Sequence, residues 1–216
     1  MVSVQKISVL LSAVLAAAAG FAGAVDSISL PKPQTQGGKP LMQALAERQS
    51  TRAFTEDKLS QQTLSNLLWA AFGVNRADGK RTAPSAMNWQ EVQVYAVLPE
   101  AAYLYNAQAN RLEPVATGDL RAATGAQDFV AKAPLTLIYV SDAARITSAS
   151  EADRTVTAGI DVGFIAQNVY LFCASEGLGA VVRGSVNKAE MAKALKLGPK
   201  QTVVLAQTVG YPKRAN

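Results

Sequence analysis

The chain has 216 residues, 49% of them hydrophobic, which suits one domain with a real buried core. It contains no histidine and one cysteine, Cys173, so zinc hydrolysis, Ser-His or Cys-His triads and an internal disulfide framework are all excluded. The net charge of +5 is spread along the chain without a basic block. That argues against a dedicated nucleic-acid surface and leaves any chemistry to a borrowed cofactor.

Residues 1–24 read as a secretory signal peptide of the Sec type. Lys6 supplies the charged start, residues 9–19 the short apolar run, and Ala22-Gly23-Ala24 the small-residue cleavage site. The expected destination is the periplasm or the medium, with no stable membrane insertion after cleavage. Residues 25–38, with Pro31, Pro33, Gly37 and Gly38, read as an extended arm outside the core, and residues 39–216 as the single folded domain.

Within that domain, Leu41, Leu45 and Ala46 mark a first helix that delivers Arg48 to its C-terminal end. Ser60 is a suitable N-cap for a second helix carrying Leu64, Leu67, Leu68, Ala71 and Phe72 on one face, closed by Gly73. A loop rich in Gly, Pro, Asn and Ser follows at 75–90, where function is often carried. Alternation predicts a strand over 91–98 and a hairpin from 103–106 to 111–115. Phe129, Val130 and Ala133 suggest a short helix stopping before Pro134, and the apolar run 135–140 a central strand. Residues 141–153, polar and rich in Ala and Ser, are a candidate lid. The stretch 155–175 is a helix apolar nearly all round, which requires burial on most sides, by a second subunit among other things. Asp161, Gln167 and Asn168 interrupt it, which argues against a membrane span. A strand at 180–182, a helix at 188–195 and a closing strand at 202–208 complete the chain.

Four motifs stand out. The first is Glu47-Arg48-Gln49-Ser50-Thr51-Arg52-Ala53-Phe54, where two guanidinium forks flank a hydroxyl. Such forks match phosphate oxygens and flat heteroaromatic edges, although a basic pair at a helix end also reads as a solvated face. The others are the run from Arg81 to Gln90 through Pro84-Ser85-Ala86-Met87-Asn88, the pair Ala166-Gln167-Asn168 and Glu176-Gly177-Leu178-Gly179 with Arg183-Gly184, and the closing Val209-Gly210-Tyr211-Pro212-Lys213. Together and in this order they resemble the FMN-dependent nitroreductase family, from about residue 38 to the end. The 81–86 stretch is more similar to the subgroup related to peptide-azoline dehydrogenases.

That resemblance implies an α+β, three-layer α/β/α fold with a central, mainly antiparallel sheet flanked by helices, in an intertwined homodimer. It implies FMN as cofactor, with NADH or NADPH as donor, and ping-pong reduction of small aromatic substrates such as nitroaromatics or quinones. Carried over to this sequence, Arg48, Gln49 and Ser50 would hold the phosphate and ribityl end, with Lys213 or Arg214. Arg52 and Asn88 would face the pyrimidine side of the ring, Pro84, Ser85 and Ala86 would line it, and Arg183-Gly184 would lie against its reducible nitrogen. No catalytic side chain is required, since protons can come from water. The alternatives are an exported flavin-storage dimer, a flavin dehydrogenase with a non-nicotinamide donor, and a cofactor-free interaction protein on the same scaffold.

Overall fold

The computed structural model describes residues 25–147 and 150–213. Residues 1–24, on which the signal-peptide expectation falls, and Arg214 lie outside the described residues.

Seven strands form one sheet: β1 (Ile28–Ser29), β2 (Val92–Val97), β3 (Ala101–Asn106), β4 (Arg111–Thr117), β5 (Leu135–Asp142), β6 (Gly179–Arg183) and β7 (Gln201–Gly210). Their order is β1-β4-β3-β2-β5-β7-β6, and every neighbouring pair is antiparallel. Helices α1 (Leu41–Glu47), α2 (Gln61–Phe72) and α3 (Glu151–Ser175) cover one face, and α4 (Lys188–Ala194) covers the other. This is the expected α+β arrangement with a mainly antiparallel sheet.

The layering follows from strand periodicity. On β5, Leu137 and Tyr139 point into the core under α2 and α3, while Ile138 and Val140 pack beneath Met191 of α4 and Leu195 just past its end. The continuous apolar run expected at 135–140 is therefore a strand buried on both faces. Local chemistry sets the helix ends. The Ser60 hydroxyl accepts the Thr63 N–H at 3.0 Å, Ser150 accepts that of Asp153, and Asn187 that of Glu190. Gly177, at φ +70°, takes the left-handed position just past α3.

Two sequence expectations differ from the structure. The arm is not outside the core. Ile28 and Ser29 pair with Leu112 and Arg111, and Leu30 is buried, so an edge strand forms before Pro31 ends it. No helix forms at 129–133. The local helical turn is a 3-10 segment at Arg121–Thr124, and the later residues close by tight turns such as Val130 N–H to the Gln127 carbonyl. Side chains take up the carbonyls there: Arg121 binds that of Ala133, and Arg183 that of Thr124.

Helix α3 is long and apolar enough to cross a membrane by length and composition alone. Its Val162, Ile165, Ala166, Val169 and Cys173 face the core instead. Val156, Ile160 and Phe164 stay 61%, 52% and 44% exposed, so the expected all-round burial is not achieved by one chain.

Leu137, with no exposed surface, sits in the interior strand β5 against both its neighbours, β2 and β7. Leu137→Ala in the 25–216 chain is expected to cost about 2–5 kcal/mol, read as a lower urea midpoint at unchanged m-value.

Candidate functional site

The segment after α1 is held open by backbone bonds. Arg48 N–H closes the helix on the Ala44 carbonyl at 3.0 Å, and the chain then leaves in an extended conformation. It runs along β6, with Ser50 bridging Ala180 in parallel and Thr51 N–H donating to the Ala180 carbonyl at 2.9 Å. Gly179 permits this approach, since a Cβ there would lie 2.7 Å from the Thr51 side chain. Three residues on, the C-terminal segment takes over: Phe54 bridges Pro212, Thr55 N–H donates to the Tyr211 carbonyl, and Lys213 N–H to the Ala53 carbonyl. An extended backbone puts alternate side chains on one side, so Arg48, Ser50 and Arg52 share a phase. Lys213 joins them through its backbone bond. The first and last predicted motifs are thus one structural unit.

Tyr170, on α3, is the pivot of this unit and was not singled out from the sequence. Its hydroxyl accepts the Val182 N–H at 2.8 Å and bridges to Ser50 Oγ at 3.1 Å, and its ring lies under the Arg48 guanidinium at 5.5 Å. Nothing in its sequence context sets it apart from a core aromatic residue. Among the described residues, neither Arg48, Arg52 nor Lys213 has a carboxylate within ion-pair distance. A groove of about 490 Å³ beside them is lined by Arg48, Gln49, Thr51, Tyr170, Ala180 and Pro212 among others. That volume suits a small organic ligand. A hollow of about 540 Å³ between the 34–39 segment, α1, α2 and α3 is lined by Thr82, Asn168 and Glu176 of the motifs but by none of the residues assigned a cofactor contact from the sequence.

Arg183 and Gly184 follow at the end of β6. The Arg183 side chain turns inward, donating to the Thr124 carbonyl at 2.7 Å and to Thr208 Oγ1 at 3.2 Å. Burial lowers its pKa to about 10. As a ligand contact, Arg183 therefore offers only its main chain. Gly184 is exposed, and a Cβ there would meet open space.

The 84–90 loop forms a second cluster. The Ser85 hydroxyl accepts the Gln90 N–H at 2.8 Å and donates to Glu91 Oε2 at 3.2 Å, and the Ala86 N–H donates to Asp161 Oδ2 at 2.9 Å. Ser85 and Ala86 thus spend their donors inside the protein. Pro84 and Asn88 are exposed. Asn88 Oδ1 accepts from Gln90 Nε2, and its own amide hydrogens make no hydrogen bond among the described residues. Glu91 and Asp161 are the functional candidates that sequence reading passed over. The available signal was an acid heading an apolar strand and another inside an apolar helix.

The structure does not bring the two clusters together within one chain. One hangs on Tyr170 and the other on Asp161, nine residues apart in α3. At helical geometry that is about 14 Å along the axis and on opposite sides of it. The same gap separates β6 from β2, with β7 and β5 between them.

The sequence signature of the Nitroreductase family matches residues 45–211, which span the arginine segment, the loop, α3, β6 and most of the C-terminal segment. The chain belongs to the nitroreductase family. A candidate nitroreductase of Methanocaldococcus jannaschii is 30% identical over 195 residues, covering 86% of this chain and 97% of that protein. The crystal structure of a candidate nitroreductase from Ralstonia eutropha JMP134 is 41% identical with a TM-score of 0.84, over 88% of this chain and 91% of that one. At the level of fold, the chain also matches the NADPH:FMN oxidoreductase of Vibrio harveyi complexed with NAD+. There the TM-score is 0.61 at 22% identity, over 81% of this chain and 69% of that one. As a family member, the chain is an oxidoreductase by descent.

Tyr170→Phe removes the acceptor of the Val182 N–H and the tie to Ser50. We expect a stability loss of about 1–2 kcal/mol in urea unfolding.

Proposed function

We propose that this nitroreductase-family protein binds FMN and passes electrons from a reduced donor to a small aromatic acceptor of the nitroaromatic or quinone type, in two half-reactions at one site. The observation that carries the proposal is the Arg48–Ser50–Arg52 segment. It is fixed by backbone pairing to β6 and to the 211–213 segment, with its cations unneutralised by any acid among the described residues.

The residues fit that cofactor. Planar guanidinium forks and hydroxyls are the donor set for a phosphate and a ribityl chain, and Gly184 leaves space for close approach of a ring to the main chain. When bound, FMN supplies the two-electron chemistry that this chain's side chains lack. Arg48 and Ser50, steadied by Tyr170, would bind the phosphate and ribityl end. Lys213 would add a second cation there, and Arg214 is proposed for the same end from sequence alone. Gln49 lines the same groove. Arg52 would sit at the pyrimidine edge, where a cation favours the accumulation of negative charge on the ring. Asn88 would present its amide to that edge, and Pro84 and the Ser85–Ala86 main chain would line it.

Because the two clusters lie on opposite sides of α3, a complete site takes the arginine segment of one copy and the 84–88 loop of another. The uncovered Val156, Ile160 and Phe164 on α3, with Leu41, Met42 and Leu45 on α1, are the apolar surface such a homodimer would bury. NADH or NADPH is the donor to be tested first. The V. harveyi relative, named for NADPH and FMN, supports that choice. The sequence of residues 1–24 supports export, in which case the donor in its natural setting is another reductant. The 81–86 stretch supports kinship with the azoline-dehydrogenase-like subgroup.

The test is an absorbance titration of the 25–216 protein with FMN, then NADH without oxygen. A bound-flavin band that bleaches on NADH addition is expected, and absence of any bound flavin would overturn the reading. Arg52→Ala is expected to weaken FMN binding about tenfold and to lower the bound-flavin potential. Ile160→Asp is expected to give a monomer by light scattering with no retained FMN.

A further inference from the structure

We propose that Glu91 and Asp161, holding one proton between them, are positioning residues that set the 85–90 loop for the flavin. This rests on the FMN reading above.

Both residues are buried, at 0% and 2% exposure. Glu91 immediately precedes β2 and Asp161 sits on α3, and the two carboxyls converge on the adjacent loop residues Ser85 and Ala86, close enough for Asp161 to act on Glu91. Each carries one loop anchor: Glu91 Oε2 accepts from the Ser85 hydroxyl, and Asp161 Oδ2 from the Ala86 N–H. The other Glu91 oxygen, Oε1, is buried with no hydrogen-bond partner among the described residues. Two ionised carboxylates side by side in this setting would repel, with a costly orphan acceptor besides. One proton between them removes the repulsion and gives Oε1 its partner. Burial, and then the neighbouring Asp161 carboxylate, push the Glu91 carboxyl above the usual range. The charged groups nearest the loop do not offset this. Arg145 Nη1 donates to the Gln90 carbonyl, and Arg81 Nε to Gln90 Oε1.

The loop needs such fixing. Met87, Asn88 and Gln90 hold φ values of +49°, +55° and +48°, and none is glycine. Each such residue costs about 1–2 kcal/mol, and three within four positions persist only where surrounding bonds hold them. The left-handed turn is what directs Asn88 outward. Of the loop's anchors, the carboxyl pair is the one that can gain or lose a proton, with the Glu91 carboxyl raised above its ordinary value by burial. With the folded-state value raised, its contribution is full below the ordinary carboxyl value of 4.5 and is lost as pH rises through the raised value. Above that point two negative charges face each other behind the loop, and the Ser85 and Ala86 anchors loosen.

The experiment compares wild type with Glu91→Gln, whose amide can donate to Asp161 and accept from Ser85 as the protonated acid does. Hydrogen exchange of the Ala86 amide in the flavin-free protein is followed from about pH 5 to about pH 9, corrected for intrinsic rate. FMN affinity is measured by quenching of flavin fluorescence over the same range. Wild-type protection and FMN affinity are expected to fall together, by up to about tenfold per pH unit above the transition, while Glu91→Gln stays flat in both. Flat wild-type protection, or Glu91→Gln falling in parallel with wild type, overturns the shared proton. A loop transition without any change in FMN affinity overturns the positioning role. If wild type binds no FMN at any pH, the flavin reading itself fails, and the exchange data still judge the pair.

Discussion

Packing of α3 against the sheet is the constraint on which the rest of the molecule depends. The helix buries Val162, Ile165, Ala166, Val169 and Cys173 against β5, β7 and their neighbours, and that apolar contact fixes its rotation about its own axis. Once the rotation is fixed, two polar groups have no freedom left. Tyr170 must emerge beside β6, where its hydroxyl meets Val182 and Ser50, and Asp161 must emerge at the head of β2, where it meets Ala86. A polar group carried into a packed interior has to find a partner there. Each of these finds one in the backbone or side chains of a functional segment. The hydrophobic effect sets the frame, and a few hydrogen bonds translate it into the geometry of the site.

The electrostatics divide along the same line. On the β6 side, Arg48, Arg52 and Lys213 have no ion-paired acid among the described residues, since the nearby Glu47 is taken by Lys39, an arrangement that favours a bound anion. On the β2 side, two acids are enclosed without a neutralising cation, which favours retention of a proton. Arg183 lies between these regimes. It is a buried cation whose guanidinium is satisfied by the Thr124 and Thr208 oxygens instead of a carboxylate, so it braces the turn before Gly184 from within. With no histidine in the chain, pH sensitivity between these clusters falls to the raised carboxyl of Glu91.

The uncovered stripe on α3 belongs to the same logic. A helix rotated so that one face fills the core turns its opposite apolar residues outward, and Val156, Ile160 and Phe164 lie there with no cover from their own chain. Single exposed apolar side chains are ordinary on a protein surface. A row of three on one helix, next to the exposed Leu41, Met42 and Leu45 of α1, is the form of surface a second copy would cover. Pairing two copies would also unite the arginine segment with the 84–88 loop.

Much of this was legible in the sequence alone. Alternation along 91–98, the apolar run at 135–140, Ser60 and Gly73 around α2, and the order of the four motifs are local or nearly local signals, and local signals survive reading in one dimension. The arginine segment was legible for the same reason, since its spacing is a property of an extended backbone. Other features were decided only in three dimensions. Pairing of Ile28–Ser29 with β4 depends on a partner more than 80 residues away, and the turn at 121–133 forms because side chains from elsewhere take its carbonyls. Tyr170 looks like one more core aromatic residue until its hydroxyl meets β6. Arg183 looks like a ligand contact until burial turns it inward. Glu91 and Asp161 are 70 residues apart and gain meaning only by proximity, because a carboxyl's protonation is set by what surrounds it. Sequence determined which elements form and which cations are available. Tertiary packing decided which polar groups meet, because only a closed interior makes an unpaired hydrogen bond or a second negative charge costly.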